Sequence, residues 1–117
     1  MLTKTWKIYT YQTVENTMDQ AAQLIDLEDQ FAVLAYDQTK GRGKYDRKWI
    51  PLTGNLYTTL AFKPSQPFHT SGQISFVAAL AVREVIQHYL SKNQYTEEVK
   101  YKWPNDLLAG GQKISGI

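Results

Sequence analysis

From Glu98 to Ile117 the sequence reads as strand, proline break, strand, glycine turn and returning strand. Glu98 to Lys102 favours extended backbone and runs into Trp103-Pro104, where proline can no longer donate to a ladder. Leu107 to Ala109 and Gln112 to Ile117 flank Gly110-Gly111, the dipeptide suited to a two-residue hairpin turn. An amide (Asn105), a carboxylate (Asp106) and an ammonium (Lys113) therefore sit at a strand end and on the strand that returns. Aromatic, proline and glycine residues punctuate the segment, so these polar groups are expected to be held in place.

The rest of the chain has the same short rhythm. Trp6 to Tyr11 reads as a strand, and Met18, Ala21, Ala22 and Ile25 recur at helical spacing with Asn16 or Thr17 placed to cap. Phe31 to Tyr36 is an apolar strand, Asp37 to Lys48 a polar loop, and Asn55 to Phe62 a strand bounded by Gly54 and Pro64. Thr70 with Gln73 fits a capping box. Behind it Ile74, Val77, Ala78, Ala81, Val82, Val85, Ile86 and Tyr89 form one stripe, predicting a helix of about five turns. The sum is an α+β fold, a mixed β-sheet with helices packed on one face. No repeat or linker divides the chain, and a final strand at Ile117 implies an exposed edge or a continuation, so a fragment is expected.

Composition excludes several classes. At 117 residues the chain has the size of one domain, with 43% hydrophobic and 21% charged residues. It has no cysteine, which removes disulfides, thiolate metal sites and a cysteine nucleophile. A net charge of +2 is too small to argue for nucleic acid, although cations concentrate between Lys40 and Lys48. No apolar run approaches the roughly 18–20 residues that span a bilayer. The stretch Met1-Leu2-Thr3-Lys4-Thr5-Trp6 lacks a signal-peptide core, so a cytoplasmic location is expected. His69 and His88 stand apart and do not point to a metal site.

Two segments carry chemistry. In Gly41-Arg42-Gly43-Lys44-Tyr45-Asp46-Arg47-Lys48-Trp49 the glycines permit positive φ and close backbone approach to an anion, and the cations suit phosphate or carboxylate. By itself this is equally a solvated basic loop; it is neither a Walker loop nor a dinucleotide fingerprint. In the second segment Asp106 can orient a lysine or bind Mg²⁺, and Lys113 can hold a carboxylate against an α-phosphate. By itself that segment is equally a turn in which Asp106 caps backbone. Gln38 could pair with a polar ring, or be solvated.

Taken together, Gln38-x-x-Gly41-Arg42-Gly43-x-x-x-Arg47-x-Trp49, Gly54-Asn55-Leu56-Tyr57, Lys102-Trp103-Pro104-Asn105-Asp106-Leu107 and Lys113-x-x-Gly116-Ile117 resemble the catalytic core of biotin protein ligases, in order and spacing. The resemblance implies the biotin/lipoate ligase catalytic fold, which is similar to that of class II aminoacyl-tRNA synthetases, with residues 1–117 as the N-terminal part of that domain. It implies ATP-dependent activation of biotin to biotinyl-5′-AMP with Mg²⁺. Transfer to a lysine of a biotin-acceptor (carboxyl carrier) domain would follow. It implies biotin contacts from Asn16, Thr17, Gln38, Gly41, Arg42 and Lys113, and nucleotide or phosphate contacts from Gly43, Lys44, Arg47, Trp49 and Asn105. Lys113, Arg42 and Asp106 would be catalytic, with Asp106 a possible Mg²⁺ ligand.

The departures from the family pattern are Asn16 in place of the common serine, Lys44 in place of arginine and Asp46 in place of glycine. Lys44 and Asp46 predict a leakier hold on the adenylate, and the bulkier Asn16 bears on biotin affinity. Without an N-terminal helix-turn-helix, DNA binding has no support; dimerisation through an open sheet edge is a further expectation. The competing readings are a non-catalytic remnant or binding module, a lipoate ligase, and an RNA-binding module using Arg42 to Lys48.

Overall fold

The computed structural model describes residues 5–65 and 67–117, without the side chains of Asp46, Phe68, Thr70 and Ser71. The absence of a signal-peptide core thus rests partly on residues 1–4, outside the described residues. Two compact units divide at Lys63 and Pro64.

In the first unit β1 (Lys7–Val14) runs parallel to β2 (Gln30–Gln38), which pairs antiparallel with β3 (Tyr57–Phe62). A parallel pair needs a crossover, and α1 (Thr17–Ala22) lies within it, packed on β2 and β3. The middle strand is the apolar one: Phe31, Ala32, Val33 and Ala35 are all buried. Phe31 and Val33 form the core with Ala21 of the helix, and Tyr9, Tyr11, Leu24 and Ala61 pack around them. The Tyr9 and Phe31 rings meet edge to face at 5.9 Å. Fully burying a side chain such as Phe31 contributes roughly 1.5–3 kcal/mol, so this small cluster carries much of the unit.

The helix is shorter than its apolar spacing implies. It ends at Ala22, and Met18 and Ile25 are exposed, because of its apolar residues only Ala21, and Leu24 in the turn beyond, pack into the core. The two parallel strands are longer than expected. Pairing of Thr13 with Asp37 and of Val14 with Gln38 extends β2 through Gln38, which is a strand end rather than a loop residue.

In the second unit a 3-10 turn (Phe68–Gln73) leads into α2 (Ile74–Lys92), and β4 (Val99–Lys102), β5 (Asp106–Ala109) and β6 (Gln112–Gly116) form an antiparallel sheet. The six strands thus form two three-stranded sheets, one mixed and one antiparallel, within an α+β architecture. Gly110 and Gly111 have φ of 57° and 78°, as a turn with both central residues left-handed requires. The expected capping box does not open α2: Gln73 is the N-cap without a side-chain bond, since the preceding turn already supplies helical backbone. The Thr70 side chain lies outside the described atoms.

The predicted stripe on α2 is only partly the covered face: its Ala78, Val82 and Ile86 are half-buried, whereas Ile74, Val77, Ala81, Val85 and Tyr89 are exposed and the buried residue is Ala79. The helix packs on β4 and β5, whose Val99 and Leu107 are fully buried. Polar side chains also tie the helix to β4. Gln87 accepts from the Val99 N–H at 3.0 Å and donates to the Glu97 carbonyl at 3.3 Å, and Arg83 Nε donates to the Val99 carbonyl at 3.1 Å. β4 is an edge strand, and these bonds occupy backbone groups that no strand pairs.

Candidate active site

Because β1 and β2 are parallel and end opposite one another at Val14 and Gln38, the chain leaving β1 enters α1 beside the end of β2. Carboxyl ends of parallel strands are where open sheets place ligands. Asn16 is the N-cap: its Oδ1 accepts the Met18 N–H at 2.9 Å, and its Nδ2 donates to the Lys40 carbonyl at 3.0 Å. Asn16 therefore uses both ends of its amide, tying the helix start to the loop after β2. Thr17 follows. Its N–H donates to Gln38 Oε1 at 2.8 Å, and its hydroxyl is hydrogen-bonded to the Thr59 hydroxyl at 2.9 Å. Asn16 and Thr17 are each 4% exposed, the buried polar residues of the described chain. Buried polar groups in low dielectric are strong when paired and costly when not, so this cluster is stiff.

The basic loop is folded on itself. Arg42 and Lys48 form a β-bridge, the Gly43 N–H donates to the Arg47 carbonyl at 3.0 Å, and a 3-10 turn spans Lys44–Asp46. At the tip Tyr45 adopts φ 58° and is 90% exposed. Arg47 Nε donates to the Lys44 carbonyl at 3.1 Å. Arg42 lays its guanidinium on Asp19, two nitrogens on two oxygens at 3.1 and 2.8 Å, and Lys40 pairs with Glu15 at 2.8 Å.

The role expected of the glycines needs correcting. Gly41 and Gly43 are not among the positive-φ residues, Gly43 having φ −111°. Their smallness matters for a different reason. A Cβ on Gly41 would stand 3.0 Å from Trp49 Cβ and 3.1 Å from Gln38 Nε2. One on Gly43 would stand 3.0 Å from the Arg47 carbonyl oxygen and 3.2 Å from Trp49 Nε1. The glycines let Trp49 lie against the loop, and the Gly43 N–H is engaged within the loop. The Asp46 side chain lies outside the described atoms.

In the second unit the Trp103-Pro104 peptide is cis, and the strand end that follows gathers Asn105, Asp106 and Lys113. Asp106 and Leu108 are two apart and share a face of β5. Lys113 stands opposite Leu108 and so reaches Asp106 on the diagonal, Nζ to Oδ1 at 2.9 Å. Asn105 Nδ2 donates to the Ile117 carbonyl, and the Ile117 N–H donates back to the Asn105 carbonyl at 3.2 Å. Asp106 thus orients the lysine, as its sequence position implied.

The first unit brings together Asn16, Thr17, Gln38, Gly41, Arg42, Gly43 and Trp49, and the second brings together Asn105, Asp106 and Lys113. Two partners escaped the sequence reading. Asp19, an acid in the first turn of α1, could have been noticed from its place after the cap. Nothing local marks Thr59, a β-favouring residue in a strand.

The arrangement can be set beside known proteins. A family model for the biotin/lipoate A/B protein ligase family matches residues 9–117. The chain belongs to this family. Among its relatives, the biotin–[acetyl-CoA-carboxylase] ligase of Paracoccus denitrificans is 38% identical over 85 residues, covering 73% of this chain and 34% of that protein. A crystal structure of biotin protein ligase from Leishmania major in complex with biotinyl-5-AMP matches with TM-score 0.80 and 29% identity, over 94% of this chain and 50% of that one. Biotin protein ligase from Aquifex aeolicus in complex with biotin and ATP matches with TM-score 0.76 and 28% identity, over 94% and 44%. This family member therefore spans about a third of the Paracoccus protein's length and half of the Leishmania chain. Among its described residues no helix is long and apolar enough to cross a membrane.

Proposed function

We propose that this chain supplies the biotin-recognising part of a biotin protein ligase. The observation that carries the reading is its likeness, over 94% of its length, to a ligase bound to biotinyl-5-AMP. In the proposed reaction a biotin carboxylate oxygen attacks the α-phosphorus of ATP and displaces pyrophosphate. The amine of an acceptor lysine then attacks the acyl carbon of biotinyl-5′-AMP and expels AMP. The acceptor would be a carboxyl carrier domain.

Thr17 and Gln38 would bind the ureido ring of biotin, and Asn16 and Gly41 would shape their surroundings. Two anions must be brought together in the first step, which demands cations. Lys113, steadied by Asp106, would hold the biotin carboxylate and phosphate oxygens. Arg42 would exchange Asp19 for the ligand as the loop closes with Gly43, Lys44 and Arg47, and Trp49 would wall the nucleotide. Closure over a labile adenylate keeps water out. Asn105 would lie by the ATP phosphates. Asp106 fits Mg²⁺ of the kind held by one or two carboxylates plus substrate phosphates, since its second oxygen is not the one bonded to Lys113. The ion would neutralise phosphate charge there.

Pyrophosphate release from biotin and ATP tests the proposal, with and without an acceptor domain. Lys113→Ala is expected to abolish adenylate formation while leaving the fold intact; a variant that still forms biotinyl-AMP at the parental rate would refute the role of Lys113. A second reading follows from the family, which includes lipoate ligases: competition between biotin and lipoate decides between the two vitamins. A third follows from the chain's share of its relatives' length. Biotin binding without pyrophosphate release would establish a binding module.

A further inference from the structure

We propose that Tyr57 is a positioning residue for the basic loop: its phenol anchors the loop's downstream end at Leu52 and so holds Trp49 within reach of the adenylate. The inference rests on the biotin reading of this site and deepens it.

The loop is strung between two posts. Upstream, both backbone groups of Lys40 are held from outside the loop: its N–H donates to the Glu15 carbonyl at 2.7 Å, and its carbonyl accepts from Asn16 Nδ2 at 3.0 Å. Downstream, both backbone groups of Leu52 are held by one side chain. The Leu52 N–H donates to the Tyr57 hydroxyl at 2.9 Å, and that hydroxyl donates to the Leu52 carbonyl at 3.0 Å. An N–H can only donate and a carbonyl can only accept, so both directions are fixed. The Tyr57 backbone belongs to the sheet, where it pairs with the buried Ala35 of β2. The phenol therefore carries the sheet's rigidity into the loop.

Between the posts the loop is bonded to itself, and to α1 through the exposed Arg42–Asp19 pair. Trp49 stands three residues before Leu52, so a fixed Leu52 confines it to a reach of roughly 10 Å. Pro51 stiffens that tether by fixing its own φ and disfavouring helical backbone at Ile50. Without the phenol the loop runs from Lys40 to the start of β3. The added residues must then be ordered each time the loop closes, so the closed state is less favoured.

The test compares the full parent chain with Tyr57→Phe, which removes the hydroxyl and keeps the ring. Association and release of biotinyl-5′-AMP are followed by stopped-flow fluorescence, with circular dichroism as the check on folding. The variant should release the adenylate about tenfold faster, as the loss of two hydrogen bonds permits, with association unchanged. Amide exchange in the ligand-free chain is the second arm. Leu52 and Asn55, whose N–H donates to the Leu52 carbonyl, should lose protection. Gly43, bonded within the loop, and the amides of β3 should keep theirs. An unchanged release rate overturns the role of Tyr57 and leaves the biotin reading standing. Faster release with no change in free-chain exchange also overturns it, since Tyr57 would then be a direct ligand contact. A parent that binds neither biotin nor biotinyl-5′-AMP overturns the biotin reading, and this role with it.

Discussion

The start of α1 and the loop over 41–49 lie side by side in the first unit, and both carry proposed ligand contacts, yet they are held by opposite physics. At the helix start Asn16 and Thr17 are each 4% exposed, and every contact is a hydrogen bond to backbone or to a neighbouring neutral side chain. The loop reaches the same helix through Arg42 and Asp19, whose side chains are each 56% exposed. An exposed ion pair is worth about 0–1 kcal/mol and is screened by salt, whereas leaving a buried polar group unpaired costs about 1–3 kcal/mol. The proposed recognition residues thus lie in the stiff part, and the proposed cover is tethered by a contact weak enough to be exchanged. That division suits an enzyme that must admit a small molecule and then enclose an unstable intermediate.

The contrast can be broken most decisively at Asn16. Asn16→Ala removes a helix cap and leaves the Lys40 carbonyl without its side-chain donor, so a loss of about 2 kcal/mol is expected in urea denaturation. Asn16→Ser keeps a cap and should lose less than half of that. Equal losses in both variants would show that the cap is not what holds the helix start.

A smaller effect is expected at Gly43. A Cβ there meets the Arg47 carbonyl oxygen at 3.0 Å, a backbone atom that cannot step aside, so Gly43→Ala should open the Arg42–Lys48 bridge at a cost of about 1 kcal/mol. Amide exchange should accelerate within the loop while the Thr17 amide keeps its protection. Loss of protection at both places would mean that loop and helix start unfold together.

The smallest effect sharpens the comparison most. Asp19→Asn is expected to change global stability by about 0.5 kcal/mol or less, yet to raise the rate of limited proteolysis in the loop. The parent in about 1 M salt, where charges are screened beyond roughly 3 Å, should behave like the variant. Insensitivity of loop cleavage to both salt and substitution would dismiss the Arg42–Asp19 pair as a tether.

Much of this was legible in the residues. The strand and helix order was, apart from boundaries at Val14, Ala22 and Gln38, and so were a cap at Asn16 or Thr17, the Gly110-Gly111 hairpin and the likeness to biotin ligases. Asp106 beside Lys113 was implied by the hairpin, since the returning strand must bring the lysine back towards the carboxylate. The loop was read correctly as glycine-dependent but for the wrong cause. Periodicity and residue type show that a small residue is needed, not whether φ or a neighbouring indole demands it.

Short-range physics thus determined the elements of this chain. Alternation, helical spacing, caps and turn glycines act over a few residues, and the amino-acid order alone carries them. Tertiary structure decided that Arg83 and Gln87 share the covered side of α2 with Ala78, Val82 and Ile86, because they satisfy an edge strand that the helix's own periodicity does not register. It also decided the partner of Arg42 and the pairing of the Thr17 hydroxyl with Thr59, forty-two positions further along the chain. Those properties are set by hydrogen bonds between residues distant in sequence, and a hydrogen bond has a direction only once both of its ends are in place.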